Sequence, residues 1–172
     1  MTFDEDLGHY VLTNEHVFHE VIMISVPAFV KLERALFRLF GSNAESLMQI
    51  SGEAAGSDSA RGLVRVGHVE EDLRSVFNSV SKWGFGKYEL MDLDVVTGYL
   101  KFKLHNNPLA ALVDTESVDS TDTVKIDSHH FLIGFYKGYF GVLFNGRVIC
   151  TETMCMNRGD PFCEFKVMQT GS

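Results

Sequence analysis

The sequence predicts a single α+β domain in which helices pack on an antiparallel sheet. Apolar residues recur at helical spacing in three segments between residues 27 and 83. From residue 88 to residue 104 they instead alternate with polar residues, as they do in strands. An apolar segment, 131–144, then precedes two further alternating stretches. Helices and strands therefore fall in separate runs, which favours an α+β fold over a series of βαβ units.

Three helices are expected in the first half of the chain. Pro27 suits the first turn of one helix, and Gly41 is a typical C-terminal stop for it. Ser42 and Glu45 form a capping-box pattern that opens the second helix. The third is expected over about 69–83, where one apolar stripe recurs at helical spacing.

The second half of the chain predicts two pairs of strands separated by one helix. Alternation around residues 88–104 indicates a hairpin, and 147–153 with 162–168 indicates a second strand pair. The apolar helix between them is expected to begin after Ser128, a candidate N-cap residue. Residues 114–127 are rich in Asp, Ser and Thr, which is typical of a solvated loop.

Length and charge limit the classes of protein to be considered. A chain of 172 residues fits one domain, and we expect residues 1–19 to form an N-terminal extension or first strand before a domain over 20–168. The formal net charge of −8, without a basic patch, argues against a nucleic-acid partner. No apolar run reaches the roughly 20 residues of a membrane span. A cytoplasmic protein is therefore expected.

Three cysteines lie within one short stretch near the C-terminus, at positions 150, 155 and 163. A hairpin would bring Cys155 and Cys163 to the same end of two adjacent strands. Glu152 is close in sequence, and His129 and His130 begin the preceding helix. Thiolate, imidazole and carboxylate are ligands that zinc accepts, so this set is a candidate metal site. The alternative is a group of buried or free thiols beside two surface histidines.

Several motifs resemble those of the 4-vinyl reductase domain family. They are Gly-x-x-x-Gly at 134–138, Glu-x-x-Cys at 152–155 and Arg-Gly-Asp-Pro-Phe-Cys-Glu-Phe at 158–165, with a weaker match at 52–56. The family includes the sensing domains of phenol- and xylene-responsive transcription activators. The resemblance implies a fold of the NO-signalling and Golgi-transport ligand-binding type, which is shared with TRAPP vesicle-tethering subunits.

The resemblance also implies a structural zinc ion. Family members that sense aromatic compounds hold zinc with an upstream Cys followed by Glu-x-x-Cys-x-seven-Cys. Glu152, Cys155 and Cys163 match the last three positions, and His129 stands at the first, with adjacent His130 as the alternative. Four protein ligands leave no open position for water, so the expected metal is structural rather than catalytic.

A buried apolar pocket for a small aromatic or hydrocarbon ligand is the family's second feature. The 14 Phe and 5 Tyr residues of this chain either form a bulky core or line such a pocket. The candidate wall residues, chosen by aromatic character and position, are Trp83, Phe85, Phe102, Phe135, Tyr136 and Tyr139. His68 and His105 are candidates to hydrogen-bond a phenolic ligand.

The favoured function is a zinc-stabilised small-molecule binding or sensing domain that acts as a regulatory module. It is expected to form a homodimer and to pass its signal to a protein partner. The alternatives are an adaptor that resembles TRAPP subunits, an accessory enzyme of vinyl reduction and a thiol redox sensor. The enzyme is disfavoured because the sequence has neither a Gly-x-Gly-x-x-Gly fingerprint nor a phosphate loop.

Overall fold

Four helices and seven strands make up the part of the chain that the computed structural model describes, namely residues 2–4, 9–14, 17–21, 25–61, 68–82, 84–110 and 126–171. The helices are α1 (Val26–Phe40), α2 (Asn43–Arg61), α3 (Val69–Lys82) and α4 (His130–Leu143). The strands are β1 (Thr2–Asp4), β2 (His9–Asn14), β3 (Val17–Val21), β4 (Lys87–Asp94), β5 (Tyr99–His105), β6 (Val148–Met154) and β7 (Cys163–Gln169). The predicted α+β class is confirmed.

The strands form two antiparallel sheets. The N-terminal sheet has the order β1-β2-β3, where the sequence predicted only one or two strands. The larger sheet has the order β4-β5-β7-β6, so β7 pairs with β5 as well as with β6. The two predicted strand pairs are therefore joined through β5 and β7 into one sheet.

One face of the larger sheet carries the core. Leu100, Phe102 and Leu104 of β5 are buried on that face because alternate residues of a strand point to the same side. Helix α4 covers it and adds Tyr136 and Phe140 to the same cluster. Lys101, at a half-exposed position of β5, pairs with Glu164 of β7 at 2.9 Å.

Helices α2 and α4 pack with their backbones in direct contact. A Cβ atom added to Gly138 would lie 2.0 Å from the carbonyl oxygen of Glu53, and one added to Gly56 would lie 2.0 Å from that of Phe135. Gly52 and Gly134 are equally close to the facing helix. Gly141, which follows the same spacing in sequence, instead faces Gly146, so the contact ends before it. Only glycine permits this separation.

The ends of the helices agree with the sequence in two places and differ in one. Pro27 occupies the first turn of α1, and Gly41 ends it with φ of 58°. Helix α4, however, begins at His130 with His129 at the capping position, and Ser128 does not cap it. The Ser128 hydroxyl donates instead to Glu152 of β6 at 2.7 Å. Among the described residues, no helix is long and apolar enough to cross a bilayer.

We expect Gly138→Ala to lower the free energy of unfolding by about 3 kcal/mol, because its methyl group would overlap the backbone of α2. Chemical denaturation measures the change. Gly171→Ala is the matched control, since nothing lies within 4 Å of that position. Wild-type stability for Gly138→Ala would show that the two helices are not held in backbone contact.

Candidate metal centre

Four buried side chains from the start of α4 and the β6–β7 pair form one compact group. They are His129, Glu152, Cys155 and Cys163, and their ligand atoms all lie within 4.8 Å of one another. His129 Nδ1 is 2.8 Å from Glu152 Oε1, 3.4 Å from Cys155 Sγ and 3.7 Å from Cys163 Sγ. The structure therefore brings together all four residues that the sequence proposed as metal ligands.

The antiparallel pairing of β6 with β7 places three of these residues. Alternation along β6 turns Glu152 toward the buried face, and the register shifts between Glu152 and Met154. A short 3₁₀ turn, Met156–Arg158, then reverses the chain, with Gly159 in the left-handed region at φ of 92°. The Met156 amide donates to Cys163 Sγ at 3.5 Å, which holds the two cysteines at the same end of the pair.

Glu152 attaches the start of α4 to the sheet. Its Oε2 accepts hydrogen bonds from the Ser128 hydroxyl and from the His129 backbone N–H, at 2.7 and 2.8 Å. Helix α4 has no acidic residue in its own first turn, so this carboxylate supplies the negative charge that a helix N-terminus favours. Burial alone would raise the pKa of Glu152, but hydrogen bonds and the charge of His129 outweigh burial and lower it.

The group carries negative charge that a cation would balance. Burial by itself lowers the pKa of His129, but hydrogen bonds to Cys163 and Glu152 raise it to about 9. The pKa of Cys163 is lowered because the Cys155 thiol donates a hydrogen bond to it. A thiolate, a carboxylate and a protonated imidazole thus lie together, and a metal ion would take the place of the imidazole proton. Two sulfur ligands, one nitrogen and one oxygen suit zinc.

His130 and Cys150 lie outside the group. The ring of His130 turns toward α2, where its Nδ1 is 3.3 Å from Gln49 Nε2, and it packs against Phe37 of α1. His129 is therefore the histidine that the fold offers to a metal. Cys150 is buried in the hydrophobic core, and burial raises the pKa of its thiol.

Sequence reasoning missed Asn107, which also contacts the group. Its side chain lies 3.2 Å from His129 Nε2 and 3.6 Å from Cys163 Sγ, and it is 1 % exposed. The only signal in the sequence was Asn-Asn-Pro at 106–108, which resembles an ordinary turn.

The six aromatic residues proposed as ligand contacts fall into different environments. Phe102, Tyr136 and Tyr139 are buried, and Phe135 is half-buried. Phe85 is 48 % exposed, because it lies in the turn between Gly84 and Gly86, both of which have positive φ. Trp83 lies outside the described residues.

The buried aromatic residues surround a few polar atoms. The hydroxyls of Tyr88 and Tyr136 are 2.8 Å apart, and burial raises the pKa of Tyr88 to about 12. The Tyr136 ring lies edge-on to Phe102, with centroids 4.9 Å apart. Among the described residues, the buried hydroxyl of Tyr139 has no hydrogen-bond partner.

Neither histidine proposed to bind a phenolic ligand joins this cluster. His68 is exposed and pairs with Glu71 at 3.1 Å, and His105 pairs with Glu89 at 2.7 Å on the outer face of the β4–β5 hairpin. A separate cavity of about 490 Å³ lies beside Lys137 and Arg147, away from the proposed aromatic contacts.

Known proteins share this fold and part of the sequence. The sensory domain of the phenol-responsive transcription activator PoxR, solved with phenol, superposes with a TM-score of 0.77 over 98 % of this chain and 84 % of its own, at 17 % identity. A trafficking protein particle complex subunit 3 from Naegleria fowleri, covalently bound to palmitic acid, gives 0.63 over 85 % and 93 %, at 14 % identity.

A vinyl-4-reductase family protein from Methanocaldococcus jannaschii gives a TM-score of 0.57 over 88 % of this chain and 85 % of its own, at 20 % identity. No curated protein matches the chain by sequence. The model of the 4-vinyl reductase domain family matches residues 115–169, which include all four residues of the buried group. The resemblance that the motifs indicated is thus confirmed, and residues 115–169 of this chain are identified as a 4-vinyl reductase domain.

Proposed function

We propose that this protein is a zinc-stabilised domain that binds a small aromatic or hydrocarbon molecule and acts as a regulatory module. The observation that carries the proposal is the buried group of His129, Glu152, Cys155 and Cys163 within the segment that matches the 4-vinyl reductase domain. A closed four-ligand site of this kind stabilises a fold and leaves no position for a reacting water molecule. A structural metal is therefore a better fit than a catalytic one.

The metal would hold two parts of the molecule together. His129 belongs to the start of α4, whereas the other three residues belong to the β6–β7 pair. Helix α4 also carries Tyr136 and Tyr139, which are among the proposed ligand contacts. Fixing its first turn on the sheet would therefore also position the side chains that contact a ligand.

The proposed ligand is apolar with a small polar group. The aromatic cluster on α4, β4 and β5 supplies apolar surface, and the unpartnered hydroxyl of Tyr139 supplies a donor or acceptor. A domain that shares the fold binds phenol, and another carries palmitic acid, so the fold admits ligands that are largely apolar.

An adaptor function is the second candidate, favoured by an exposed apolar surface. Consecutive helices α1 and α2 leave Leu32, Leu39, Leu47 and Ile50 between 43 % and 76 % exposed. Apolar surface of this kind is typical of protein contacts. We propose that a second copy of this chain covers it, as the expected homodimer would require. A protein partner for signal output and a cytoplasmic location stay predictions.

We expect Cys155→Ser and Cys163→Ser each to lose bound metal and to melt at lower temperature. If zinc normally exceeds its Kd a thousandfold, its loss removes about 4 kcal/mol, or about 10 °C in Tm. Elemental analysis and thermal melts measure both effects. Cys150→Ser is the control, because Cys150 lies outside the group. Unchanged Tm and metal content in both ligand variants would contradict a metal centre.

We expect phenol and toluene to raise Tm, and phenol to bind more tightly, because its hydroxyl can pair with Tyr139. Tyr139→Phe removes that partner without changing ring size, and we expect it to weaken phenol binding about fivefold while toluene binding stays the same. Titration calorimetry of both proteins with both compounds is the measurement. The proposal of a small-molecule site fails if neither compound binds the wild-type protein at millimolar concentration.

We expect Leu39→Glu and Ile50→Glu to convert a dimer to monomers, because a buried charge without a partner opposes association. Light scattering after gel filtration gives the mass. Val96→Glu is the control, since Val96 is 94 % exposed in the turn between β4 and β5. A monomeric wild-type protein would remove the second copy as occupant of the α1–α2 surface.

A further inference from the structure

The side chain of Asn107 connects the candidate metal centre to the turn that follows β5. Its Nδ2 lies 3.2 Å from His129 Nε2 and donates to Cys163 Sγ at 3.6 Å. Its Oδ1 accepts a hydrogen bond from the Leu109 backbone N–H at 3.1 Å. The residue is fully buried, so all three contacts lie within the protein interior.

The two nitrogens of the His129 ring face different neighbours. Nδ1 faces Glu152 and the cysteines, which makes it the nitrogen available to a metal, and Nε2 faces Asn107. The group that contacts the outer nitrogen of a metal-binding histidine fixes the orientation of the ring. An amide suits this position because it offers both a donor and an acceptor, so it can bond Nε2 with or without a proton.

Asn107 also acts on a sulfur ligand. Cys163 accepts hydrogen bonds from the Asn107 amide and from the Met156 backbone N–H. Hydrogen bonds to a thiolate stabilise its charge and alter the electron density that it gives to a metal. One side chain therefore contacts two of the four proposed ligands.

The other end of the amide sets the shape of a turn. Besides the bond from Leu109 to the side-chain oxygen, the backbone carbonyl oxygen of Asn107 accepts from the Ala110 N–H at 3.1 Å. This turn includes Pro108 and precedes residues 111–125 in the chain. Any movement of the Asn107 side-chain amide therefore changes the hydrogen bond to the Leu109 N–H.

We propose that Asn107 is the positioning residue of the metal centre, which orients His129 and Cys163 and couples metal loading to the turn at 107–110. This inference rests on the proposed metal centre. When a metal binds Nδ1, the ring proton resides on Nε2, and the Asn107 side-chain oxygen must then approach that nitrogen. The same oxygen accepts from Leu109, so the two hydrogen bonds compete for it.

The first test compares zinc affinity in Asn107→Leu and in the wild-type protein, by competition with a chromophoric chelator. We expect the variant to bind zinc 10- to 100-fold more weakly. Asn106→Gly is the matched control, because Asn106 is an exposed neighbour with φ of 52°, which glycine adopts readily. Equal affinities for Asn107→Leu and the wild type would overturn the positioning role.

Cobalt provides a readout that a change in stability alone would not move. With Co²⁺ in place of Zn²⁺, the sulfur-to-metal charge-transfer band reports on the thiolates, and we expect Asn107→Leu to shift it. An identical band in the wild type and the variant would show that Asn107 does not act on Cys163.

The coupling to the turn is tested in the wild-type protein, so it does not depend on whether a variant folds. Hydrogen exchange of the Leu109 amide, followed by NMR, is measured with and without zinc. We expect its exchange rate to change by tenfold or more, while the amide of Val96 in the distant β4–β5 turn stays constant. Equal rates with zinc bound would refute the coupling. If the wild type binds no zinc, it is the proposed metal centre that fails.

Discussion

The attachment of α4 to the β6–β7 pair through His129 and Glu152 is the constraint on which the other features depend. A buried carboxylate accepts from the Ser128 hydroxyl, the His129 amide and the His129 ring, and so fixes where the helix begins and which way the ring faces. Removing either partner would leave a charge buried without compensation, which is costly. The position of this helix in turn determines the aromatic core and the contact with α2.

The same helix serves three neighbours through three kinds of surface. Tyr136 and Phe140 pack on the sheet, Gly134 and Gly138 admit the backbone of α2, and the first turn meets the candidate ligands. This explains why the segment is apolar around most of its circumference, which the sequence alone leaves open between a core helix and a ligand-lined helix. A change at one surface therefore affects the others through a single rigid element.

Local patterns predicted much of this architecture, because they depend on neighbouring residues. The stop at Gly41 and the β4–β5 hairpin follow from turn chemistry and alternation. The pairing of β5 with β7 could not be predicted, since it joins segments far apart in sequence. Asn107 was missed for the same reason, because its partners, His129 and Cys163, lie in other elements. Spacing within one hairpin, by contrast, indicated the two cysteines.

The glycine contact between α2 and α4 has a mechanical consequence. Helices separated by side chains can slide as rotamers change, but backbones that touch at Gly52, Gly56, Gly134 and Gly138 have no such layer to rearrange. The two helices therefore move as one body. A ligand that alters the shape of this domain must do so by displacing α1, α3 or the sheet relative to that body, so a signal leaves the domain through its periphery.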